Sequence, residues 1–126
     1  MDFFFSAQIL PYLLAMKSFQ LEDILIVGYD IKLKIIDCQY IGEQNNLYSS
    51  GIDKMKLTKI MSNKNYKHLL IAHNHPNASA LPSDEDIEFT AQICSLCKDM
   101  KINFLDHLII SANPPAVFSF KKSSLL

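Results

Sequence analysis

The stretch that most restricts how this chain folds is His68-Leu69-Leu70-Ile71-Ala72 running into His73-Asn74-His75-Pro76. A short apolar run with polar flanks reads as a buried strand, here with His73 and His75 at its C-terminal end. Side chains alternate in direction along a strand, so residues two apart share a face and both imidazoles point the same way. Pro76 has no N–H to give to a ladder and a fixed φ, so it ends the strand directly after the second histidine and turns the chain outward. A rim position of this kind is where a metal ion meets solvent and substrate.

A third ligand has to come from another element. After a polar, proline-marked loop over residues 77–82, Ser83 has the features of a helix N-cap. Asp84, Glu85 and Asp86 place acids where the helix dipole favours them, and Ile87, Thr90, Ile93 and Cys97 continue a helical pattern. Asp86 then falls at the third helical position, from which its carboxylate either returns to the cap or projects toward the histidines. Two His and one Asp, with a fourth position left for water, is the ligand count of a catalytic rather than a structural zinc site. Each piece has an ordinary reading as well: a strand histidine is more often a hydrogen-bonded rim residue, and Ser-x-x-Asp before an apolar run is more often only a cap. Their occurrence together around one loop favours a metal.

The remaining pattern gives an α/β order. A helix over 6–19 leads to a hairpin of strands 21–29 and 33–41, a polar loop 42–51 and a helix 53–61. The histidine strand and the long helix to about Met100 follow, then a strand 104–111, a Pro114-Pro115 turn and a short strand 117–120. Pro11 is expected to kink the first helix or shift its start. With 126 residues, nearly half of them apolar, and no repeat or linker, the chain is expected to form one domain with its core over 6–126.

His73-Asn74-His75-Pro76, six further residues and then Ser83-x-x-Asp86 resemble the zinc motif of the JAB1/MPN/Mov34 (JAMM) metalloenzymes, specifically the RadC-like branch. Leu105-Asp106-His107 and the aliphatic run after it resemble the strand that follows the long helix in that branch, and residues 21–30 resemble a strand that opens with a glutamate and closes with an aspartate. The resemblance implies a mixed sheet with helices on its faces, related in shape to cytidine deaminases. It implies that His73, His75 and Asp86 hold Zn2+, that Glu22 is the general acid/base, and that Ser83 hydrogen-bonds the oxyanion of a tetrahedral intermediate. Without the resemblance, Glu22 beside Asp23 reads as a solvated residue at a strand start, and Ser83 reads as a cap. Asp106-His107 either supports the site from behind or hydrogen-bonds at a strand start. Asn77-Ala78-Ser79 stands where the family usually has Ser-Gly-Asp, which leaves that loop less backbone freedom.

Composition narrows the function. The net charge is −1 and every basic residue is lysine. Arginine is the usual residue for bidentate phosphate and guanine contacts, so nucleic acid is not the expected partner. The helix-hairpin-helix module common in the RadC branch is not expected either, because the first helix starts almost at Met1. Lys54, Lys56, Lys59, Lys64 and Lys67 read as a solvated helix face. The odd set Cys38, Cys94 and Cys97 points to the cytoplasm, and an opening segment with Asp2 and Pro11 and no basic start is not expected to be a signal or a membrane anchor. A nucleobase deaminase would need His-x-Glu and Pro-Cys-x-x-Cys, whereas Cys94 follows Ile93. Two classes remain: a zinc hydrolase acting on a peptide or isopeptide bond of a peptide or protein, and a non-catalytic metal-binding accessory module of DNA repair or mobile elements. An intact Glu22 favours the first.

Overall fold

The computed structural model describes residues 7–41 and 54–126. Its elements are α1 (Leu10–Met16), β1 (Ile24–Tyr29), β2 (Ile35–Tyr40), α2 (Lys54–Asn63), β3 (His68–His75), α3 (Asp84–Met100), β4 (Asn103–Ala112) and β5 (Pro115–Ser119). The five strands form one sheet in the order β2-β1-β3-β4-β5. Only β3 and β4 are parallel, as the long connection through α3 requires, and the other pairs are antiparallel. The expected α/β fold, a mixed sheet flanked by helices, is present.

Alternation along the central strands builds two cores. Ile24 and Ile26 of β1 and Leu69 and Ile71 of β3 pack with Leu57 of α2 and Ile93 of α3. Leu25 and Val27, with Leu70 and Ala72, face the other way onto Ile9, Leu13 and Met16 around α1. His73 and His75 continue the first series, so the sheet delivers both imidazoles to the α3 face. α3 begins on a capping box: Ser83 Oγ accepts from Asp86 N at 3.1 Å, and Ser83 N donates to Asp86 Oδ2 at 2.9 Å.

Several boundaries differ from expectation, each for a local reason. Pro11 lies in the first turn of α1 and introduces no kink, so α1 starts beside it and runs for seven residues. β1 opens at Ile24, not residue 21, because the segment before it bonds to the Asn74 side chain instead of a neighbouring strand. α2 continues past Met61 to Asn63, and β5 begins at Pro115. The expected polar loop 42–51 and the expected helix starts at residues 6 and 53 lie outside the described residues. Tyr66 is buried over Gly28, and any Cβ at that glycine would run into its ring. Among the described residues no helix is long and apolar enough to cross a membrane.

Candidate metal centre

Three elements meet at the C-terminal end of β3. Ile24 pairs with His73 across the antiparallel β1–β3 ladder, and extending that register sets Glu22 opposite His75 on the same face. α3 enters from the loop and brings Asp86, which is fully buried. His73 Nε2 lies 3.1 Å from His75 Nε2 and 3.1 Å from Asp86 Oδ1. His75 Nε2 is 3.0 Å from Asp86 Oδ2. Candidate ligand atoms of Glu22, His73 and His75 all lie within 4.8 Å of one another, so these residues form a group able to hold a metal ion.

The partners behind the centre hold it in shape. His75 Nδ1 donates to the carbonyl of Ser79 at 2.8 Å, which ties the loop back to the strand. The loop turns at Asn77, whose φ is 58°, a left-handed position that asparagine tolerates; the chain thus makes its tight turn there without a glycine. Asn74 points to the opposite face. Its Oδ1 accepts from Asp23 N at 2.8 Å and its Nδ2 donates to Leu21 O at 3.1 Å, so one amide brackets Glu22 from both sides. His73 Nδ1 is 2.7 Å from His107 Nε2, and His107 Nδ1 is 2.6 Å from Thr90 Oγ1. The His107 ring is fully buried and stacks on Phe120 with a centroid separation of 4.5 Å.

Charge in this pocket is set by burial and by close partners. Burial raises the Glu22 carboxyl above its ordinary pKa, against the opposing pull of His73 and His75. The hydrogen bond that the Asp86 carboxylate accepts raises the pKa of His75, while burial drives His107 well below the ordinary imidazole range and keeps it neutral. Glu22 Oε1 is buried with no hydrogen-bond partner, an orphan that implies a missing polar group in front of it.

The donor set fits zinc. Tetrahedral zinc with nitrogen and oxygen arms near 2.0–2.1 Å places its donors about 3.3 Å apart, and the two imidazoles and Asp86 stand at 3.0 and 3.1 Å. Asp86 touches both rings, and Glu22 has one buried carboxylate oxygen without a hydrogen-bond partner. Ser83 is seen as the α3 cap. Asp106 takes no part in the centre: it accepts from Lys121 N at 3.0 Å and from Ser119 and so holds the segment after β5. Sequence reasoning named His107 without deciding its role and missed Asn74 and Thr90, whose importance lies in partners remote in sequence or in a single hydroxyl.

A mixed sheet with helices on both faces, His-x-His-Pro at the rim of its central strand and Ser-x-x-Asp opening the next helix define a domain of the JAB/MPN class. The sequence profile of the RadC-like JAB domain matches residues 5–125, and the chain belongs to that family. It is 32% identical over 108 residues to a UPF0758 protein of Aquifex aeolicus, covering 83% of this chain and 44% of the relative. It is 33% identical over 112 residues to one of Lactococcus lactis, covering 87% of this chain and 47% of the relative. A UPF0758 protein of Acinetobacter baumannii shares 50% identity over a shorter stretch of 58 residues, 46% of this chain and 24% of the relative. The chain thus spans less than half the length of these curated relatives.

Proposed function

We propose that this chain is a zinc-dependent metallohydrolase that cleaves a peptide or isopeptide bond in a peptide or protein substrate. The observation that carries the reading is the unpartnered, buried Oε1 of Glu22, whose carboxylate groups with the two imidazoles His73 and His75 within reach of one ion. His73, His75 and Asp86 would hold the ion, and zinc when bound supplies a Lewis acid that brings the pKa of adjacent water toward neutrality. Glu22 takes a proton from the attacking water and returns it to the departing amine. Ser83 caps α3 with Oγ as acceptor, which leaves its O–H proton to donate to the developing oxyanion. The odd cysteine count supports a cytoplasmic setting.

The test compares the parent with Glu22→Gln for zinc content and for hydrolysis of a panel of fluorogenic peptides and a lysine-isopeptide conjugate. Glu22→Gln keeps one zinc per chain and loses about 10²–10⁴-fold in rate, the usual size of a general-base contribution. Zinc loss in the glutamate variant would make Glu22 a ligand. A zinc-loaded parent that hydrolyses nothing in the panel would favour the accessory-module reading.

A further inference from the structure

The hydrogen bonds behind His73 form a chain whose proton positions follow from counting donors. Thr90 Oγ1 lies 2.7 Å from the backbone carbonyl of Asp86, an atom that can only accept, so the single hydroxyl proton of Thr90 points there. His107 Nδ1, 2.6 Å from the same hydroxyl oxygen, must then be the donor of that pair. His107 is enclosed by Phe89, Phe120 and His73 with no carboxylate side chain bonded to it, so it is neutral and its Nε2 carries a lone pair. The 2.7 Å contact to His73 Nδ1 therefore needs a proton on His73 Nδ1.

We propose that Thr90 and His107 are positioning residues that fix His73 as its Nδ1-protonated tautomer, so that the Nε2 lone pair faces the centre. The chain starts and ends on one residue: the Asp86 carbonyl anchors Thr90, and the Asp86 carboxylate sits 3.1 Å from the nitrogen that the chain prepares. His75 reaches the same state by a shorter route, through the Ser79 carbonyl. Both imidazoles are thus set with Nδ1 bonded away from the centre and Nε2 turned toward it, and less free energy is spent on ring rotation when a cation arrives. The inference rests on the metal reading of the centre, but its first test does not require catalysis.

Histidine-selective 15N labelling and long-range 1H–15N correlation spectra of the full chain, stripped of metal at about pH 8, report the tautomer of each ring directly. His73 and His107 are both expected as Nδ1-H. A His73 ring protonated on Nε2 in the stripped parent overturns the proposal. Thr90→Val removes the hydroxyl at nearly constant volume; it is expected to release the His107 and His73 tautomers and to weaken zinc binding by about tenfold or more. Thr90→Ser is expected to restore both. Zinc affinity and His73 tautomer unchanged in Thr90→Val would also overturn it. Should Thr90→Val fail to fold, the spectrum of the parent still decides. An inactive parent with both rings Nδ1-protonated would sink the hydrolase reading and leave this one standing.

Discussion

At the scale of single residues, the amide between the two histidines acts through the backbone that it holds. Asn74 grips Leu21 O and Asp23 N, and the residue between them is Glu22. Glu22 lies ahead of β1 and outside the ladder, so without this clamp only its neighbours' chain would fix it. Asn74→Ala is expected to keep zinc while lowering hydrolysis about 10²-fold, because a catalytic group displaced by about an ångström loses that much. The same change strips buried partners from two backbone groups and is expected to destabilise by about 1–3 kcal/mol. Zinc content, rate and urea midpoint of the one variant check all three, and a parent-like rate would refute the clamp. The histidines and Asp86 were legible because their spacing lies within one strand, loop and helix start. Asn74 was not, since alternation put it on the other face and its partners stand 51 and 53 positions away.

At the scale of elements, local signals worked where the chain makes its own ends and failed where a neighbour makes them. The α3 start was readable because Ser83 and Asp86 satisfy each other within one turn. The β1 start was not, because Ile24 is where ladder pairing replaces the Asn74 bonds. Gly28 shows the same limit. A glycine inside an apolar strand reads as a weakness, yet the Tyr66 ring fills its place, held by its hydroxyl to Asp37. Gly28→Ala is therefore expected to destabilise by about 1–3 kcal/mol through overpacking. In a urea melt, Gly28→Ala combined with Tyr66→Leu should lose less than the two single changes added together. Strict additivity would mean that the ring and the glycine are independent.

At the scale of the whole molecule, β3 is the middle strand of five and carries the histidines, flanked by fully buried β1 and by β4. β2 and β5 form the edges and are largely half-buried or exposed. That layering was legible in outline, because three apolar runs stand out in the sequence against two more polar ones. Their spatial order was not, since hairpin and crossover pairing depend on contacts between distant segments. The position of β3 also bears on how long an ion stays. Opening the sheet from an edge leaves the candidate donors on β3 in register, so on the proposed zinc reading fraying at an edge gives an ion no way out. Residence time and global stability are then separate properties. Weakening the β2 edge with Ile35→Ala is expected to lower the urea midpoint without speeding the transfer of zinc to a chelator followed by stopped flow. Faster transfer in step with lost stability would mean that the ion escapes only when the sheet comes apart. Independent release would make the centre a tenant of the strand's middle course, indifferent to fraying at its borders.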